Sequence, residues 1–141
     1  MGLLDERDRR EVQKQLTVLT GSVRLINFTQ ELACQYCRET EEMLREVSEL
    51  SDKISLEIYN FQLDKDKAAQ YKVDKIPATV VEGTKDYGIR FYGIPLGYEF
   101  VTLLEAIKDV SRGSTDLPPE AKTSLTQVQK PIHLQVFTTP T

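Results

Sequence analysis

The order of apolar and polar positions divides the chain into short blocks of two kinds. Residues 3–16 carry Leu4, Val12 and Leu16 thinly spaced among Glu, Arg, Lys and Gln, which predicts a surface helix laid over a larger body. Gly21 and Ser22 break that pattern, and Val23-Arg24-Leu25-Ile26-Asn27-Phe28 is apolar enough for a central, largely buried strand. Met43, Leu44, Val47, Leu50 and Ile54 then recur at three- and four-residue intervals among charges, predicting an amphipathic helix that begins at Cys34-Gln35-Tyr36-Cys37. Ile54, Leu56 and Ile58 alternate with Ser55 and Glu57 and lead into Tyr59-Asn60-Phe61, a second strand, with a short helix near residues 65–72.

Ile76-Pro77 interrupts the chain before Ala78-Thr79-Val80-Val81, and the turn-like Glu82-Gly83-Thr84-Lys85-Asp86 separates that run from Tyr87, Ile89 and Phe91. The pair of runs predicts an antiparallel hairpin. Phe100, Val101, Leu103, Leu104, Ile107 and Val110 predict a further amphipathic helix closing at Arg112-Gly113. The order α, β, α, β, α, β, β, α predicts an α/β unit over residues 1–112, with a mixed central sheet of about four strands flanked by helices and an extra N-terminal helix. Residues 113–119 read as a linker, 119–128 as a helix, and Ile132, Leu134 and Val136 as one more strand without a partner downstream. Residues 113–141 are thus a C-terminal helix-strand extension.

Composition narrows the functional classes. The 141 residues are 40% hydrophobic and 28% charged, which suits one domain with a proper core. The net charge of -4 is mild, and its basic residues are interleaved with acids, so there is no footprint for nucleic acid. Even the densest basic patch, Arg7-Asp8-Arg9-Arg10, is flanked by acids and reads as a solvated helix face. The first residues turn charged too early for a signal peptide, and no apolar run approaches a membrane span. A cytoplasmic protein is expected. In that reducing compartment, two cysteines separated by two residues point to redox chemistry or metal binding before structural stapling.

Cys34 and Cys37 fall where a strand gives way to a helix, so both thiols are expected on the first helical turn, able to join in a reversible disulfide. Unpaired amides and partial positive charge at a helix N-terminus favour the thiolate of the first cysteine. Cys34 is therefore the expected nucleophile, with Arg38 assisting and Glu31, Glu39 and Glu41 opposing. Cys37 is placed to resolve the mixed disulfide, and the direction of exchange depends on a reduction potential that sequence leaves open. The competing readings are half a zinc site and two inert buried cysteines. Zinc needs two more ligands, and the chain has no third cysteine and one histidine, His133. No bound cofactor or metal is expected beyond the redox-active disulfide itself. Ile76-Pro77, downstream of the pair and just before a strand, is the natural place for a cis proline that brings a backbone edge to the sulfurs. Of the exposed-looking aromatics Tyr36, Tyr92 and Tyr98, Tyr36 is the better candidate for substrate contact.

Taken together, Cys34-Gln35-Tyr36-Cys37, Lys75-Ile76-Pro77-Ala78-Thr79 and the stretch from Arg90-Phe91-Tyr92-Gly93 through Ile94-Pro95-Leu96-Gly97-Tyr98-Glu99-Phe100 resemble the protein disulfide oxidoreductases, glutaredoxin-like proteins of thermophilic archaea and bacteria. The resemblance covers almost the whole chain. It implies a thioredoxin fold and two such units in tandem, of which this chain resembles the first, its residues 130–141 resembling the opening of the second. It also implies Cys34 as nucleophile, Cys37 as resolving thiol, Pro77 as the cis proline and Ile76 as a source of backbone contacts to substrate. Protein disulfides and dithiols are the expected substrates and a thioredoxin reductase using NADPH the expected electron source. The double glycine and acidic residue of glutathione-binding relatives are not evident at Tyr92-Gly93-Ile94-Pro95. Two further expectations follow. The strand at 132–137 pairs with an edge of another copy or stays disordered, and the class alternative is a non-catalytic unit that docks substrate or scaffolds a second unit.

Overall fold

A computed structural model describes residues 2–139. The elements are α1 (Glu6–Leu16), β1 (Val23–Thr29), α2 (Cys37–Glu49), β2 (Ile54–Asn60), α3 (Lys65–Gln70), β3 (Ala78–Glu82), β4 (Ile89–Tyr92), α4 (Tyr98–Arg112) and α5 (Pro119–Leu125). The strands form one mixed sheet in the order β2-β1-β3-β4. β1 runs parallel to β2, while β3 is antiparallel to both β1 and β4. The elements follow one another in the order the periodicity predicts, in the arrangement of a thioredoxin fold.

Strand alternation sorts the sheet's side chains into two cores. Val23 and Leu25 of β1 and Val81 of β3 point to one face, where they pack with Val12 and Leu16 of α1, Met43, Leu44 and Val47 of α2, and Leu103, Leu104, Ile107 and Val110 of α4. Ile26 and Phe28 of β1 and Ala78 and Val80 of β3 point to the other face, against Ala68, Tyr71 and Val73 around α3. Because both faces of β1 and β3 are largely covered, apolar residues occupy successive positions in them rather than alternating strictly with polar ones.

Local chemistry fixes the element ends. Asp5 caps α1 by accepting from Asp8 N at 2.7 Å. Gly113, at φ 72, closes α4 in the left-handed conformation that glycine adopts without steric cost. Ser111 near that end accepts from the amides of Thr20 and Gly21 at 3.0 Å each and donates to Gly21 O at 2.7 Å, tying the entry of β1 to α4. A Cβ on Gly21 would meet Ser111 O at 2.5 Å, so this close approach requires glycine.

The C-terminal extension departs from expectation. The helix forms as α5 but buries no residue. The strand expected at 132–137 does not form: residues 131–139 join no ladder, and Ile132, Leu134, Val136 and Phe137 are exposed. Alternating apolar residues specify which face a strand would bury, but a ladder also needs a neighbouring edge, and no sheet edge of this fold takes up the segment. Thr138 Oγ1 instead donates to Glu99 at the start of α4.

Candidate active site

β1 delivers the chain into a loop that ends at the first residue of α2, and the two cysteines flank that junction. Cys34 and Cys37 are joined in a disulfide with their Cα atoms 5.6 Å apart. They are unequal in access. Cys34 is partly exposed, whereas Cys37 is only 2% exposed and sits on the inward face of α2. Of the two sulfurs, that of Cys34 is therefore the one open to solvent.

The helix starts later than its apolar periodicity suggests. Ala33 and Tyr36 have φ of 53° and 67°, and a segment with left-handed residues at both positions is not an α-helix. Only Cys37 is thus on the first turn, and Cys34 lies in the preceding loop. The last turn of α2 likewise closes at Glu49, leaving Ile54 to open β2. Arg38 is turned away to Glu42, with Nε to Oε1 at 3.1 Å, and Glu41 is paired with Arg45 at 2.9 Å. Arg38, named as assisting the thiolate, and Glu41, named as opposing it, are thus each paired along α2.

The Ile76-Pro77 peptide is cis. Pro77 is buried and Ile76 half-buried, and Pro77 O accepts from Gly93 N at 2.9 Å, which joins this loop to the end of β4. Tyr36, Tyr92 and Tyr98 are all exposed, and Lys75 lies over the Tyr92 ring at 4.9 Å from its centre. Among the described residues no group of three or more His, Cys, Asp or Glu is placed to hold a metal ion.

One residue at the site was passed over in the sequence. Asn27 is fully buried, and its Nδ2 donates to Ala78 O at 3.0 Å, bracing β1 against the backbone that follows Pro77. Its signal was parity: Asn27 shares the inward positions of Val23 and Leu25, and a polar side chain at an inward position of an apolar strand is informative.

The sequence profile of the thioredoxin domain matches residues 26–105, more than half of the chain. The chain belongs to the thioredoxin domain family. The matched stretch of this thioredoxin domain runs from the middle of β1 into α4 and includes both cysteines and the cis proline. The "Probable Thioredoxin" of Methanothermobacter thermautotrophicus is 35% identical over 77 residues, 54% of this chain and 82% of that protein. Among solved structures, a protein disulfide oxidoreductase from Aeropyrum pernix superposes with a TM-score of 0.79 at 26% identity, over 89% of this chain and 56% of that one. The NTD_N/C domain of alkylhydroperoxide reductase AhpF from Enterococcus faecalis gives the same TM-score and identity, over 90% of this chain and 62% of that one. This chain therefore spans little more than half the length of those two structures. No helix of the thioredoxin domain or its extension is long and apolar enough to cross a membrane, among the described residues.

Proposed function

We propose that this chain is a thiol-disulfide oxidoreductase of the protein disulfide oxidoreductase type, exchanging disulfides with protein substrates through Cys34 and Cys37. The observation that carries the reading is the disulfide itself, with one partly exposed and one buried cysteine at the start of a helix, in a chain that also has a cis Ile76-Pro77 bond. In the reductive direction, the Cys34 thiolate attacks a substrate disulfide, forms a mixed disulfide and releases one substrate thiolate. Cys37 then loses its proton and attacks Cys34 Sγ, closing the enzyme disulfide and expelling the second substrate thiolate. Two electrons pass to the substrate, and both thiolates take up protons from solvent. A thioredoxin reductase drawing on NADPH is the proposed source of electrons for the next cycle, and the reverse sequence oxidises dithiols.

Proteins are the proposed substrates, a reading supported by the partly exposed Cys34 and the exposed Tyr36 next to Cys37, with the backbone of the half-buried Ile76 proposed to contact the substrate chain. Residues 1–112 are the proposed redox unit. The 113–141 segment is proposed to belong to a second unit, a reading supported by an α5 with nothing buried and by the exposed apolar residues after it.

Turnover of insulin disulfides with dithiothreitol as reductant tests the proposal. The wild-type chain is expected to be active and Cys34→Ser inactive. Equal rates for the two proteins would overturn the assignment and favour a docking or scaffolding role.

A further inference from the structure

One end of the sheet gathers four loops. The register sets Phe28 beside Tyr59 and Ala78, and Ala78 beside Tyr92, so the loops after β1, β2 and β4 leave the sheet together with the loop that enters β3. Phe61 N donates to Thr29 O and Gly93 N to Pro77 O, each at 2.9 Å, which ties the loops in pairs. The loop after β1 carries Cys34. The loop after β4 carries Leu96 and runs into Tyr98, the first residue of α4, and Tyr92, Leu96 and Tyr98 are all exposed, Tyr98 at 86%. Large apolar side chains left open together in this way mark a surface that another chain segment covers.

The C-terminal segment reaches this end at two points. Thr138 Oγ1 donates to Glu99, the residue after Tyr98. The Asp74 carboxyl, just before Lys75-Ile76-Pro77, is held below the usual carboxylate range chiefly by a hydrogen bond from Lys75, and His133 adds a smaller pull in the same direction. His133 thus lies within electrostatic reach of Asp74. Lys75 Nζ in turn stands over the Tyr92 ring. The five residue steps from 133 to 138 span at most about 17 Å of extended chain, so residues 134–137 cross from the loop before β3 to the start of α4. Between the two points Leu134, Val136 and Phe137 are exposed, Phe137 at 89%. Two sets of apolar side chains therefore stand in water within one short span, and closing one on the other removes apolar area from both. Charge favours the same approach: residues 121–139 contain Lys122, Lys130 and His133 and no Asp or Glu, whereas Glu31, Glu39 and Glu99 lie at the disulfide end of the fold.

We propose that residues 133–138 are a strap that closes over Tyr92, Leu96 and Tyr98 and competes there with a protein substrate for the approach to Cys34. The competition rests on the redox reading of the site given above. The occupant is the chain's own segment, because the segment already meets this end at both His133 and Thr138, and a short tether gives an effective concentration in the millimolar range. A protein substrate has to displace the strap, so its apparent affinity falls in proportion to the fraction of molecules with the strap open. A small disulfide that needs only the sulfur escapes the competition.

Closure and competition are tested separately in the full chain. The chain has no tryptophan, so Phe137→Trp places a single indole in the strap. At micromolar protein its emission is expected to lie to the blue of the urea-unfolded chain, and to move back to the red when Leu96→Ser and Tyr98→Ser are added. Emission like that of the unfolded chain, or emission unmoved by those two surface substitutions, would overturn the strap. A blue shift that grows with protein concentration would seat the segment on a second copy and overturn it equally. For competition, Leu134→Ser combined with Phe137→Ser is expected to raise kcat/KM for insulin disulfides about two- to fivefold and to leave kcat/KM for dithiobis(nitrobenzoate), a small aromatic disulfide, unchanged. An unchanged insulin rate, or an equal change with both substrates, would overturn the competition. A wild-type chain inactive on insulin would overturn the proposed function instead, and the tryptophan emission would still decide whether the strap closes.

Discussion

Ala33 and Tyr36, which bracket Cys34 in left-handed backbone at φ 53° and 67°, show what the loop demands of individual residues. An L-residue in that conformation carries a steric cost of about 1–2 kcal/mol. Tyr36 adds a ring beside the disulfide, but Ala33 is exposed and has only a methyl group. Ala33→Gly is therefore expected to stabilise the oxidised protein by about 0.5–1 kcal/mol, seen as a higher urea midpoint at unchanged slope. A lower midpoint would mean that the loop gains more from alanine's restriction of the unfolded chain than it loses to strain. Neither Ala nor Tyr signals positive φ in a sequence as glycine does, which is why the apolar spacing of α2 appeared to extend back to Cys34.

At the scale of elements, the β3–β4 hairpin is held by a bidentate ion pair. Arg90 donates from Nη1 to Asp86 Oδ1 at 2.9 Å and from Nη2 to Oδ2 at 2.7 Å, and its Nε reaches Tyr71 O at 3.1 Å. The Arg90 hydrogen bond, with the Gly88 amide, holds the Asp86 carboxyl below the usual carboxylate range against a smaller opposing effect of burial. A folded-state pKa below the unfolded value means that the stabilisation is full above about 3.9 and is lost as pH falls through the lower folded value. Asp86→Asn is accordingly expected to unfold at lower urea than wild type at pH 7, with the gap closing as pH falls below about 4. A gap independent of pH would remove the ion pair as its cause. The turn was legible from Glu82-Gly83-Thr84-Lys85-Asp86, whereas the pairing of Asp86 with Arg90 follows from the course of the hairpin.

For the molecule as a whole, both cores are built from residues before Gly113. The extension contributes exposed contacts, among them Arg112 with Asp116 and Thr138 with Glu99. Such contacts are worth up to about 1 kcal/mol. Ending the chain after Ser114 is expected to move the thermal midpoint by less than about 5 °C and to leave the Cys34–Cys37 couple intact, by scanning calorimetry and thiol alkylation. A larger fall would show that the tail is part of the folded body.

The sequence by itself determined the order of the elements, the two-faced sheet, the cysteine pair and the cis Ile76-Pro77 bond. These follow from local signals: a period near two or 3.6 is set by backbone geometry, and a C-x-x-C or an X-Pro before a strand is complete within a few residues. Only the tertiary structure decided that Cys34 stands outside the helix, that the buried Asn27 and Thr79 face each other across β1 and β3, and that the last apolar segment forms no strand. Asn27 and Thr79 are 52 residues apart by their numbers, and a ladder needs an edge as well as an alternating pattern. Such outcomes depend on which distant backbones approach one another, and that is a property of the packed fold.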